Sequence, residues 1–315
     1  MKQRQPKPKQ IPLVHALAWI VGSALLVSGT SHLCIKHFMK NRSYAQGKAP
    51  QVIQTMVQTG PQREALKTEY LAELLGISAD FPPLAANFDL KAAELKLRAC
   101  PLIADAQVKL LKPSTLYVDY TIRQPVAWAG DYENIAIDKA GYLFPFRPFF
   151  SPKNLPEIYM GLGPFGEQSE ESDKPVAEWN QPLAGKYAEL ALNLLNLLNE
   201  PQVQELFTVK RIDVSKAFSE SYGTREIILI AEDLIPINSN GKQIQYLFPK
   251  ILRLSTKNYA AELGNYLKLR PQLIENQRAG IKLSPDDNGT IRQKETIIDF
   301  RIPNLAFIDE QKKAP

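Results

Sequence analysis

CPLIADAQVKLLKPSTLYVDYTIRQPVA, residues 100–127, contains two arms of alternating character. Ala104, Ala106, Val108 and Leu110 alternate with Asp105, Gln107 and Lys109. Leu116, Val118, Tyr120 and Ile122 alternate with Tyr117, Asp119, Thr121 and Arg123. Successive side chains on a strand point to opposite faces, so each arm predicts a strand with one buried and one wet face. Lys112-Pro113-Ser114-Thr115 between them has turn chemistry, with proline suited to the second turn position. A hairpin buried on one face needs a cover, and the cover is sought upstream.

Two helical patterns precede the hairpin. Ala65–Leu75 places Leu66, Tyr70, Leu71, Leu74 and Leu75 on one face, with Gly76 as the expected C-cap. Leu90–Cys100 does the same with Leu90, Ala93, Leu97 and Cys100; Asp89 is the expected N-cap and Pro101 the stop. Gln51–Thr59, ended by Gly60-Pro61, predicts a short strand. The order is β-α-α-β-β, a small α+β unit.

Further upstream, Leu13–Ile35 contains no Asp, Glu, Lys or Arg. As a helix it spans about 34 Å, enough for a bilayer core. Trp19 lies within the segment, and His15 and His32 lie near its ends. Lys2, Arg4, Lys7 and Lys9 precede it, and Lys36, Lys40, Arg42 and Lys48 follow it, so the positive-inside rule is nearly balanced. A cleavable signal ending at Ser43-Tyr44-Ala45 competes with an anchor. The long apolar run and the basic residues before that site favour the anchor.

The 315 residues carry a net charge of +5. The excess gathers around the apolar segment and the C-terminal tail, with no basic stripe between, which speaks against nucleic-acid binding. The cysteines, Cys34 and Cys100, are too far apart in the pattern to suggest a disulfide. His15, His32 and His37 are the only histidines and all lie in or beside the apolar segment. The remainder therefore has no Ser-His-Asp, Cys-His or histidine–zinc chemistry, and neither an enzyme nor a cofactor or metal site is expected.

The 100–127 stretch, placed just outside a single anchor, resembles the FtsQ/DivIB family of bacterial cell-division proteins, whose pattern reads approximately P-x-V-x-x-A-x-V, then P-x-T-L-x-V, then P-V-A. The likeness continues. Ile135–Phe144, with Asp138 and Gly141, is similar to the family's "hhD-x-x-G" hairpin. Leu155-Pro156 and Gly161 are similar to its "LP-x-h-x-G" step, and Thr296–Ile302 to its "h-D-L-R-h" strand. The resemblance implies a cytoplasmic tail (1–12), a transmembrane helix (13–35), a linker (36–50), a POTRA domain (51–125), an FtsQ-type mixed α/β domain built on an antiparallel-rich sheet (126–310) and a short tail (311–315). It also implies a non-enzymatic scaffold in the bacterial inner membrane at the division site, single-pass, with the N-terminus in the cytoplasm and the ectodomain in the periplasm. Its partners would be FtsB-like and FtsL-like bitopic proteins, with other division proteins reached through the POTRA domain or the membrane helix.

Within the second domain the pattern predicts a leucine-rich helix over Ala188–Asn199, and strands over Val209–Val214, Arg225–Ala231 and Lys242–Leu247. It predicts a second helix over Ile251–Leu267 and a last strand over Ile298–Phe307. Strand addition to that last strand is the expected docking mode. Ile298, Phe300, Arg301, Ile302, Asn304 and Phe307 are its candidate contacts; Ile298, Phe300 and Ile302 read equally well as packing. The alternative class is a POTRA-containing factor of outer-membrane assembly or secretion, although the long helix and charged C-terminal half do not resemble barrel strands. Gly161-Leu162-Gly163-Pro164-Phe165-Gly166 lacks the Lys-Ser/Thr of a phosphate loop. The neighbouring carboxylates Glu232-Asp233 and Asp286-Asp287 would diverge on a strand. Leu190, Leu194, Leu197 and Leu198 are expected to pack on the domain's own sheet.

Overall fold

The structure, a computed structural model, describes residues 13–46, 51–111, 114–168, 173–239, 242–281 and 289–310. Lys112-Pro113 of the expected turn, Asp286-Asp287 and both termini lie outside the described residues. The chain is mixed α/β, with one apolar N-terminal helix, a three-stranded sheet and a ten-stranded mixed sheet.

The first lobe comprises β1 (Thr55–Thr59), α2 (Thr68–Leu75), α3 (Leu90–Arg98), β2 (Ile103–Leu111) and β3 (Thr115–Ile122), following the N-terminal helix α1 (Leu13–Gln46). β3 is central, antiparallel to β2 and parallel to β1. Leu116, Val118, Tyr120 and Ile122 are all buried, as their alternation requires. On β2 the alternation slips. A register shift between Ile103 and Asp105 buries Ile103 and leaves Ala104 exposed, so the expected inward place of Ala104 is corrected by a bulge. Asp89 caps α3 by accepting from the Ala92 N–H at 3.0 Å. Gly76, at φ 70°, ends α2 with its own N–H on the Glu73 carbonyl and that of Ile77 on the Ala72 carbonyl. Gly60 is needed because a Cβ there would lie 2.6 Å from the Tyr120 ring. That phenol in turn accepts from the Leu66 N–H at 2.8 Å and holds the loop ahead of α2.

The second lobe runs through β4 (Ala127–Ala129), β5 (Ile135–Ile137), β6 (Leu143–Pro145), β7 (Glu157–Tyr159), α4 (Lys186–Leu198), α5 (Pro201–Gln204), β8 (Thr208–Asp213), β9 (Ile227–Ser239), β10 (Lys242–Leu254), α6 (Tyr259–Ala279), β11 (Thr290–Arg292), β12 (Thr296–Asp299) and β13 (Phe307–Glu310). The sheet order is β13-β12-β10-β9-β8-β7-β4-β5-β6, with β11 beside β10. α4 and α6 cover one face: Leu190, Leu194 and Leu198 pack with Ile212, Leu229, Leu252, Leu263, Tyr266, Ile298 and Phe300. The expected helix start at Ile251 is wrong. Ile251–Leu254 completes β10, and α6 begins at Tyr259. The expected strand end at Leu247 also gives way, because Pro249 interrupts nothing. The carbonyls of Leu247 and Arg253 both point toward the β11–β12 side, so by alternation the missing N–H of Pro249 faces that side too. There it falls between the residues paired with β11 and those paired with β12.

The core does not divide at residue 125. Ala136, Phe144, Phe146 and Phe150 pack into the first lobe with Leu71, Leu97 and Val118. Trp128 and Phe146 lie 4.4 Å apart, and Tyr70 and Phe149 5.4 Å apart, measured between ring centroids. Two polar contacts join the lobes beside this aromatic layer. Arg123 donates to Asp138 at 3.0 Å and to the Pro101 carbonyl at 3.1 Å while lying 3.7 Å over the Tyr142 ring. Glu64 accepts from Ser151 Oγ at 2.7 Å and Lys153 Nζ at 2.8 Å. Asp138 also accepts from the Ala140 and Tyr142 N–H groups, so one carboxylate shapes the β5–β6 turn and anchors the arginine.

Within α1, the 23 residues Leu17–Met39 are long and apolar enough to cross a membrane, and none of them is buried against the protein.

Candidate partner-binding edge

The C-terminal end of the large sheet is a strand, a tight turn and a second strand. This corrects the single strand expected over Ile298–Phe307. Asp299 ends β12: its carboxylate accepts from the backbone N–H of Arg301 at 3.0 Å, an Asx-type turn. Pro303 and Asn304 then occupy the central positions of a turn closed by the Leu305 N–H on the Ile302 carbonyl at 3.2 Å. Asn304 has φ 62°, as the second central residue of a type II turn needs. β13 returns antiparallel to β12, pairing Ile298 with Ile308 and Asp299 with Phe307, and it forms the outer edge of the sheet.

The direction of the edge groups follows from one bond. The Phe300 N–H reaches the Arg253 carbonyl at 2.9 Å, so Ile298 and Phe300 turn their backbone toward β10. By alternation Ile297 and Asp299 face β13, and the Asp309 and Phe307 groups face them in return. Ile308 therefore points its N–H and C=O outward from the sheet.

The candidate contacts separate into three groups. Ile298 and Phe300 are core residues; Phe300 meets Tyr266 of α6 edge-on at 6.5 Å. Arg301 is tied into the molecule through Asp299 at 2.8 Å and the Gly223 carbonyl at 3.2 Å. Ile302, Asn304 and Phe307 are exposed. The structure adds Leu305 and Ile308 to this surface, which the sequence reading missed because it took the whole segment as one strand. The dipeptide Pro303-Asn304 was the available signal for a turn. An open groove of about 480 Å³ lies between this turn and Ala261, Asn265 and Leu269 of α6.

Charge lines the opposite face. Glu226 and Asp299 share Arg253 and Arg301 in a four-membered network, with contacts from 2.6 to 3.5 Å. Burial pushes the Asp299 carboxyl up, but hydrogen bonds and charge from Arg301, with charge from Arg253, outweigh it and hold the group below its ordinary range. A second cluster is buried at Lys250 and Asp233 and reaches the surface only through Arg270. Lys250 of β10 and Arg270 of α6 both bind the Asp233 carboxylate, and the Arg270 guanidinium also donates to the Leu206 carbonyl. Burial, reinforced by the charge of Arg270, lowers the Lys250 ammonium to about 7.

The other sequence candidates resolve into structural roles. The backbone N–H groups of Met160, Gly161 and Leu162, at the start of the glycine-rich turn, all donate to Asp131. An internal carboxylate thus takes the place an anion would need. Glu232 and Asp233 diverge as expected, Glu232 to Lys210 and Arg292 on the open face and Asp233 to the buried cluster. Among the described residues no group of His, Cys, Asp and Glu is arranged to hold a metal ion. No protein-family model and no curated protein matches the chain.

Proposed function

We propose that this protein is a non-enzymatic, membrane-anchored scaffold of the bacterial division complex that docks partners along the C-terminal edge of its large sheet. The observation that carries this reading is the pairing of an exposed apolar anchor at one end of the chain with an exposed sheet edge at the other. Unpaired edge groups recruit an extended segment by main-chain hydrogen bonding, and alternate side chains supply selectivity. The β-α-α-β-β order of the first lobe supports a POTRA-type domain. The sequence likeness to the FtsQ/DivIB family supports FtsB-like and FtsL-like partners, an N-terminus in the cytoplasm and an ectodomain in the periplasm.

Two measurements test the proposal. Alkaline phosphatase fused after Pro315 is expected to be active; an active cytoplasmic reporter at the same place would overturn the topology. Co-purification of the detergent-solubilised chain with the FtsB-like and FtsL-like proteins of the same organism is expected to recover a complex. Failure to recover either partner counts against the scaffold reading.

A further inference from the structure

We propose that β13 is a displaceable cover strand: it occupies the pairing edge of β12 and swings away on the Pro303-Asn304 turn, so that an incoming extended segment pairs with β12 itself. The inference rests on the docking edge proposed above and concerns how that edge is regulated. Three observations carry it. β13 is lightly held: Leu305, Phe307 and Ile308 are 59%, 70% and 40% exposed, and none of residues 302–309 is buried. Among the described residues its backbone reaches β12 through the Ile297–Asp309 and Asp299–Phe307 pairs alone. By contrast, β12 is fixed from the other side. Thr296 and Ile298 are buried, the strand pairs with β10 over its whole length, and Arg301 pins its end to Gly223 and Asp299. The hinge therefore lies just beyond a clamped residue. The third observation is space. The groove between the turn and α6 is open: Ala261, Leu269 and Phe300 line its fixed side, and Asn304, Leu305 and Ala306 line the side that swings, so the turn has room to move.

Displacement frees the N–H and C=O groups of Ile297 and Asp299. The replacement is then an extended peptide with an apolar residue at the place of Ile308, over Ile298. β13 itself has that pattern, so a synthetic peptide copying residues 304–313 serves as the probe, and no division partner is required. Three proteins are compared in a Cys34→Ala background, leaving only the buried Cys100 as a native thiol: the full-length parent; a chain stopped after Pro303; and full-length Ile297→Cys/Asp309→Cys, whose hydrogen-bonded pair has the Cα spacing a disulfide accepts.

The stopped chain is expected to bind the labelled peptide at least tenfold more tightly than the parent. The oxidised double variant is expected not to bind, with binding returning to the parent level on reduction. Equal binding by the oxidised and reduced forms would place the peptide outside β13 and overturn the proposal. So would a stopped chain that keeps the parent's circular dichroism yet gains no affinity. Ile308→Pro removes only an outward N–H, so it leaves peptide binding intact if β12 is the acceptor, and loss of binding in that variant sinks the idea. Because the probe is the chain's own sequence, a negative result here leaves the co-purification result standing, and the reverse holds too.

Discussion

Lys250 ties the stability of the fold to pH. It is 0% exposed, and the Asp233 carboxylate it binds is shared with Arg270. Arginine keeps its proton at any ordinary pH, so lysine is the partner that yields. With a folded value near 7 against roughly 10.4 in an unfolded chain, the folded state sheds the proton first. Between those values the unfolded chain binds more protons, so stability rises with pH across the window and is flat below it. The slope is up to about 1.4 kcal/mol per pH unit for one proton. Urea unfolding at pH 7 and pH 9 is expected to show this gain in the parent and to lose it in Lys250→Met, which retains the length of the side chain. An identical pH slope in both proteins would show that Lys250 stays charged. Asn304 sets the turn between β12 and β13. Its φ of 62° is closed to proline, so Asn304→Pro would break the turn and says nothing about the edge. Ile308 is the position where proline probes pairing.

Among the elements, β3 gives the sharpest test of register. Val118 is fully buried and Asp119 exposed on the same strand. Val118→Ala is expected to cost on the order of 1–3 kcal/mol and Asp119→Ala much less, as read from chemical denaturation. Comparable losses would mean the faces are reversed. β3 was legible in the sequence because its four inward residues keep period two without interruption. The partner strand was less so, since the slip after Ile103 adds a residue that no alternation rule anticipates. β10 was misread for another reason. Ile251-Leu252-Arg253-Leu254 suits a helix as well as a strand over so short a run. What decides it is the neighbour on each side, and neighbours lie far away in sequence. The candidate site suffered the same way. The fold puts Ile298 and Phe300 inside and Phe307 and Ile308 on a separate strand, which a single-strand reading of Ile298–Phe307 does not anticipate.

In the whole molecule, the cores of the two lobes are separate clusters that meet at β4 to β6. Phe146 is nearly inaccessible, stacks against Phe150 at 5.3 Å and belongs to the packing of the first lobe although it follows β6 of the second. Phe146→Ala is expected to cost about 3–5 kcal/mol, and to weaken hydrogen-exchange protection in β3 as well as in β5. Unchanged protection in β3 would show that the lobes fold separately. The aromatic layer also bears on how such a protein can diversify. From Ala127 to Phe150 the chain serves both cores: Ala127, Ala129, Ile137 and Leu143 pack with α4 and α6, while Ala136, Phe144, Phe146 and Phe150 pack with the first lobe. A gene chimera joined at Pro125 would inherit Phe144, Phe146 and Phe150 facing a surface that did not evolve with them. β4 to β6 also belong to the large sheet, so hybrids that exchange both lobes as one piece are the ones expected to stay soluble.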